Sequence, residues 1–188
     1  MTSFWQGSIT DKHDEIIRLL EGATAHPLDS VANGTSGIPV GASGVYALYY
    51  SGPCGDCRSG GGVHYPVYIG SACASPTGPR GKARLLGRLR EHRTSIAAST
   101  LQTADIKFRF VTLPDELAVS AEHFLMHHYD PIWNKSGFGS KPHGSGRPAQ
   151  KISVWDSRHP GRSGRGTVAR AETSKTQPRS VRQPAKHV

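Results

Sequence analysis

Two short aromatic runs limit what this chain can fold into. Residues 44–50 read Gly-Val-Tyr-Ala-Leu-Tyr-Tyr, and residues 65–69 read Tyr-Pro-Val-Tyr-Ile. β-Branched and aromatic side chains at this density suit a pleated, half-buried surface better than a helix. The connecting stretch 51–63, Ser-Gly-Pro-Cys-Gly-Asp-Cys-Arg-Ser-Gly-Gly-Gly-Val, is too rich in glycine for regular structure. A third run, Ile106-Lys107-Phe108-Arg109-Phe110-Val111, alternates in a period of two and reads as a strand with Lys107 and Arg109 outward.

Three helices accompany these strands. Residues 82–98 place Leu85, Leu86, Leu89 and Ile96 on one apolar stripe. Residues 115–129 turn Leu117, Ala121, Phe124, Leu125 and His128 inward, with Glu122 beside that face. Residues 11–21 begin with Asp11 near the N-cap, bury Ile16, Ile17, Leu19 and Leu20, and stop at Gly22. The expected class is α+β: a small three-stranded mixed or antiparallel sheet flanked by helices, with an N-terminal helix and loop-rich extensions. Four segments follow: a helix and irregular arm (1–43), a core (44–134), a polar loop region (135–162) and a basic tail (163–188).

With 188 residues the chain can bury a core, while 22 glycines and 13 prolines mark it as loop-rich. Its formal charge of +9 favours a polyanionic partner. That charge is uneven: seven basic residues against Glu172 give +6 from Gly161 to Val188, which leaves +3 for the first 160 residues. A solvated tail would carry the same excess, so charge alone does not place a nucleic-acid cleft. No apolar run approaches the roughly 20 residues that span a bilayer. The start, Met-Thr-Ser-Phe-Trp-Gln, lacks the charged and apolar regions of a signal peptide, so a cytoplasmic, prokaryotic setting with reduced thiols is expected.

Cys54, Cys57 and Cys73 fall within twenty residues, with His64 between them. The set could ligate a structural Zn²⁺ through three sulfurs and one nitrogen; the alternative is a glycine-rich connector with free thiols. His123 and His127 are an i, i+4 pair that could hold a metal ion; the alternative is a pair of surface histidines. Arg88 and His92 are also four apart, so both project from one helical face. Two tyrosines on paired strands facing that Arg/His pair would make a phosphate-handling cleft. The polar stretch 135–162 holds Lys141, His143, Arg147, Lys151, Arg158 and Arg162 among glycines and is a candidate for entering a DNA groove, with Ile152 and Trp155 as its packed anchor.

Taken in order, these pieces resemble the GIY-YIG nuclease family. The two triplets read Gly44-Val45-Tyr46 and Tyr68-Ile69-Gly70, followed by Arg88-Leu89-Arg90-Glu91-His92, Glu122, Pro131-Ile132-Trp133-Asn134 and Trp155-Asp156-Ser157-Arg158-His159-Pro160-Gly161-Arg162. Within the family the chain is similar to the type II restriction endonucleases that cut short GC-rich palindromes. The resemblance implies a GIY-YIG core and assigns roles. Tyr46 would be the general base or would orient the attacking water, with His92 taking its proton or activating water directly. Tyr68 would bond the phosphate or the water, Arg88 would clamp the scissile phosphate, Glu122 would hold Mg²⁺ or Mn²⁺, and Asn134 would fix the geometry. It further implies double-stranded DNA as substrate, a CCGCGG-type site, 5′-phosphate and 3′-hydroxyl products, a homodimer, and a cognate DNA methyltransferase in the host. One departure stands out: restriction-type relatives often carry lysine after the second triplet, where this chain has Ser71, so that role is absent or moves to Arg80 or Lys82.

Two other readings stay within DNA chemistry: a structure-specific GIY-YIG nuclease of repair or recombination, and a non-catalytic DNA-binding module. Rival nuclease patterns fit less well. Asp105-Ile106-Lys107 ends like a PD-(D/E)XK site, but Pro114-Asp115 follows it instead of preceding it. His127-His128 and Asn134 echo an HNH site, yet the histidines lie in a helical pattern.

Overall fold

A computed structural model describes residues 9–57, 64–73, 84–139 and 153–162. The elements run α1 (Ile9–Gly22), β1 (His26–Pro27), α2 (Ser30–Asn33), β2 (Gly44–Tyr50), β3 (Tyr68–Ala72), α3 (Arg84–Ala97), β4 (Ile106–Thr112), α4 (Asp115–Tyr129), α5 (Ile132–Ser136) and α6 (Val154–Arg158). The strands form one sheet in the order β1-β4-β2-β3, and every neighbouring pair is antiparallel.

Strand β2 is central, and each of its residues is buried because both faces of the sheet are covered. Tyr46, Leu48 and Tyr50 point to one side and join Tyr68, Leu85, Leu89, Ile96, Phe108, Trp133 and Trp155. Val45, Ala47 and Tyr49 point to the other and join Ile16, Leu20, Ile69, Ala118, Ala121 and Leu125. A sheet between α1/α4 and α3/α5/α6 results. Gly44 lets β2 start close against β4: with φ at 151°, a Cβ there would run into the Val111 carbonyl and lie 3.0 Å from Leu113 N.

The α+β class holds, with one more strand than expected. Within the irregular arm, His26 and Pro27 pair with Phe108 and Lys107 at the sheet edge, where proline's missing N–H costs no ladder bond. The His26 ring lies over Phe108 at 5.5 Å. Two residues are too short to leave a period in sequence. Helix faces also shift by one position. In α4 the buried residues are Ala118, Ala121, Leu125 and Tyr129, Leu117 and Phe124 are half-buried, and His128 is exposed. In α1, Leu19 faces solvent.

Candidate active site

The β2–β3 pairing sets Tyr46 directly across from Gly70, with Tyr68 beside it on the same face. A side chain at Gly70 would strike Tyr46, since a Cβ would lie 2.7 Å from its Cζ and closer still to its hydroxyl. The glycine therefore makes room for the phenol. Helix α3 crosses this face and buries Leu85, Leu89, His92 and Ile96 as one stripe. His92 replaces a hydrophobe in that stripe, so its imidazole is carried into the protein.

There it meets the two tyrosines. Tyr46 Oη and His92 Nε2 share a 2.7 Å hydrogen bond, and the Tyr68 ring stands edge-on to His92 with centroids 4.9 Å apart. Tyr46 is fully buried and His92 is 2% exposed. Burial, then the neighbouring Tyr68, pushes the Tyr46 pKa well above its usual value, against the pull of Arg88. Burial, then Arg88 and Arg162, pushes His92 well below its usual value. Near neutrality the pair is a neutral phenol against a neutral imidazole.

Arg88, one turn before His92, interacts with both phenols. Burial disfavours its charge, but Tyr46, Glu91 and Tyr68 outweigh that and push its pKa up, so it stays a cation. Its guanidinium donates to Glu91 Oε2 at 2.7 Å and to the Gly139 carbonyl at 2.9 Å. Phe138 stacks on His92 at 4.9 Å, and a Cβ on Gly139 (φ 75°) would collide with the Tyr68 hydroxyl. The turn 137–139 thus roofs the pocket.

Glu122 comes from α4, which packs on the opposite face of the sheet against β3, and acts on the phenols through its charge. Its charge raises the pKa of both Tyr46 and Tyr68. The Ser71 hydroxyl donates to its Oε2. Among the described residues no other hydrogen bond reaches this carboxylate, and no group of three His, Cys, Asp or Glu is set to hold a metal ion. Asn134 stands one shell back: its Oδ1 accepts from Ile69 N at 2.9 Å and its Nδ2 donates to Ile69 O at 2.7 Å. It extends the β3 ladder by a side chain and so locks α5 to the strand bearing Tyr68. Four expected residues, Tyr46, Tyr68, Arg88 and His92, converge, Glu122 lies close enough for its charge to act on both phenols, and Asn134 braces the strand that carries Tyr68.

Other expectations are corrected or fall elsewhere. Arg162 is not a free groove-reader: it donates to Asp156 Oδ1 at 2.6 Å in a buried ion pair and lies over the Trp155 ring at 4.5 Å. Arg158 is exposed, and Lys141, His143, Arg147, Lys151 and Ile152 lie outside the described residues, as do Arg80 and Lys82. The zinc set is divided. Cys54 and Cys57 are joined as a disulfide instead of staying reduced, while Cys73 packs with the α4 side and donates to the Asp115 carbonyl. His64 lines a separate cavity with Tyr49, Lys107 and Arg109. His123 and His127 are both exposed. Trp155 is the anchor expected of it, at 1% exposure.

Sequence reasoning missed Ser71, Phe138 and Gly139. Ser71 was legible only as a departure, since nothing local says that its hydroxyl faces a helix fifty positions away. Phe138 carried a signal: an aromatic between two glycines in a polar stretch has a packing reason more often than not.

Comparison with known families bears on this pocket. A search of the curated proteins finds no match. A family model described as the Eco29kI GIY-YIG domain matches residues 39–185, a span that holds every residue of the pocket. With that match over most of its length, the chain belongs to the Eco29kI GIY-YIG family of restriction endonuclease domains.

Proposed function

We propose that this protein is a type II restriction endonuclease that hydrolyses both strands of double-stranded DNA at a short GC-rich palindrome, of CCGCGG type, leaving 5′-phosphate and 3′-hydroxyl ends. The observation that carries the reading is the convergence of two phenols, a guanidinium and an imidazole from three separated segments on one pocket, with the Glu122 carboxylate near enough for its charge to act on both phenols. Such a set supplies a proton relay, an anion clamp and a hard oxygen ligand, which together are what phosphodiester hydrolysis needs.

The Tyr46–His92 pair addresses the base problem. A lone phenol has pKa near 10 and is a poor base near neutrality. With Nε2 2.7 Å from the hydroxyl, Tyr46 takes a proton from water as it passes its own to His92, and no free phenolate is required. The depressed His92 pKa keeps the acceptor nitrogen unprotonated before the reaction. Arg88 is the clamp: its bond to the Gly139 carbonyl is the one a phosphate oxygen replaces, as that turn yields access to the buried phenol.

Glu122 would hold Mg²⁺ or Mn²⁺. The fit is chemical: a half-exposed carboxylate with one oxygen oriented by Ser71 and the other open among the described residues suits a hard cation that keeps most of its waters. When bound, the ion neutralises phosphate charge and eases departure of the 3′-oxygen. One site per chain and two strands to cut imply a homodimer whose twofold axis matches the palindrome. Arg158, Lys141, His143, Arg147 and Lys151 are the proposed groove contacts, with guanine O6 and N7 as targets. A cognate methyltransferase would protect host DNA.

The test is to sequence the ends produced from a plasmid library in Mg²⁺ with wild type and Glu122→Gln. One palindromic site with a fixed stagger, lost in the variant, is the expected result. Cleavage confined to flaps or junctions, or no cleavage by a folded wild-type protein, would overturn it.

A further inference from the structure

The C-x-x-C turn plays no part in the chemistry above, yet its surroundings are organised. Its two sulfurs are inequivalent: Cys54 is part-exposed, whereas Cys57 is 3% exposed in the core. His159, just after α6, places Nε2 3.4 Å from Cys57 Sγ. The other ring nitrogen, Nδ1, lies 3.4 Å from the Thr100 hydroxyl. Burial, then Arg158, lowers the His159 pKa, so the ring is neutral and has a single N–H. With Thr100 donating to Nδ1, that N–H sits on Nε2 and faces the sulfur.

We propose that Cys54–Cys57 is a reversible thiol–disulfide exchange site, with Cys54 the sulfur attacked and His159 the partner of the departing Cys57 sulfur. The reductant is a dithiol. Its thiolate bonds to Cys54 Sγ as the Cys54–Cys57 bond breaks, and the electron pair stays on Cys57. That thiolate accepts the hydrogen bond from Nε2 and then a proton, the one that the attacking thiol had lost to solvent. The dithiol's second sulfur displaces Cys54 and closes its own disulfide. The protein gains two electrons and two protons, and the dithiol loses the same. Exposure selects the attacked sulfur, since the buried one cannot be approached in line. Stabilising the leaving thiolate speeds the step.

The turn is wired to its neighbours, which supplies a readout. Trp133 Nε1 donates to the Cys57 carbonyl at 2.9 Å, and Cys54 N donates to Tyr50 Oη at 3.4 Å. The Trp133 ring lies 5.0 Å from Phe138. Opening the bond loosens the support of Trp133, so tryptophan emission reports it.

The experiment uses the full chain, with thiols counted by maleimide mass-tagging across a dithiothreitol titration and again after removal of reductant in air. The chain has three cysteines, so one tag is expected when oxidised and three when reduced, with full reversal and a matching change in emission. Oxidised glutathione should form a mixed disulfide at Cys54 in Cys57→Ser, at least about tenfold faster than at Cys57 in Cys54→Ser. His159→Gln should slow opening by about tenfold, and Thr100→Val should slow it in the same direction. The proposal falls if the two single-cysteine variants react equally, if both His159→Gln and Thr100→Val open at the wild-type rate, or if the cysteines stay reduced in air. Stoichiometric zinc that blocks re-oxidation would also overturn it, in favour of a metal site.

Discussion

Gly70→Ala tests the geometry of the pocket at its tightest point. The added methyl would lie 2.7 Å from Tyr46 Cζ and 3.0 Å from Tyr68 Cε1, where ordinary contact begins at 3.4 Å. The phenol must retreat by roughly 0.7 Å or more, and it has nowhere to go: Tyr46 is fully buried between Tyr68 and His92, with centroids at 6.1 and 5.6 Å. Overpacking of this kind costs about 1–3 kcal/mol. Stretching the Tyr46–His92 hydrogen bond leaves two buried polar groups poorly paired and adds about 1–3 kcal/mol. The expected loss of stability is therefore about 2–6 kcal/mol, and DNA cleavage should fall by at least about 100-fold as the relay loses alignment. Urea unfolding monitored by tryptophan emission gives the first quantity, and single-turnover plasmid cleavage gives the second. A double-mutant cycle isolates the cause. Tyr46→Phe removes the atom nearest the new methyl, so the Gly70→Ala penalty should shrink by about 1 kcal/mol or more in that background. Additivity of the two changes within about 0.5 kcal/mol would refute the steric reasoning.

Four further outcomes are expected. His92 is neutral in the fold and its pKa is depressed there, so the unfolded chain binds the extra proton below about pH 6.5; stability is full above that value and falls by about 1.4 kcal/mol per pH unit below it. His92→Gln should remove the His92 share of that slope and leave the part due to His159, and urea midpoints at pH 7.5 and 5 that fall equally in both proteins would contradict it. Asn134→Ala should cost about 2 kcal/mol through the two unpaired Ile69 groups, and Asn134→Asp should be no better because it sets an oxygen against the Ile69 carbonyl; calorimetry measures both. Ser71→Ala should raise the Mg²⁺ concentration needed for half-maximal cleavage several-fold, with Ser71→Thr restoring it, whereas an unchanged metal titration would remove Ser71 from the site. Arg162→Ala should destabilise by about 3–5 kcal/mol by leaving the buried Asp156 carboxylate without its cation, while exposed Arg158→Ala leaves stability intact, as thermal melts would show.

The parts legible in sequence are those where local pattern and burial agree. Strands β2 and β4 and the start of β3 announced themselves by composition and alternation, though β3 runs Tyr68–Ala72 where the pattern pointed to 65–69, and α3 announced itself by its spacing of Leu85, Leu89 and Ile96. His92 fits that same spacing, which is why a helical Arg/His pair could be matched to two strand tyrosines before any contact was known. The reading failed where a residue's environment depends on something far away. His128 and Ala118 differ in burial because of how α4 rotates against β3, which its own apolar pattern left ambiguous by one position. Arg162 looked like a groove contact because arginine among glycines is usually solvated. The tertiary fold instead gives it Asp156 and the face of Trp155.

Residue types and their order determined the family, the two triplets and the inventory of chemical groups, because strand and helix periods are written in neighbours along the chain. Only the packed structure decided their protonation and their partners. The neutral Tyr46–His92 pair, the hold of Ser71 on Glu122, the turn at Gly139 seated on Arg88 and the joining of Cys54 to Cys57 beside His159 each depend on groups brought together across long separations. Desolvation and hydrogen bonding act through space, so no stretch of sequence contains them.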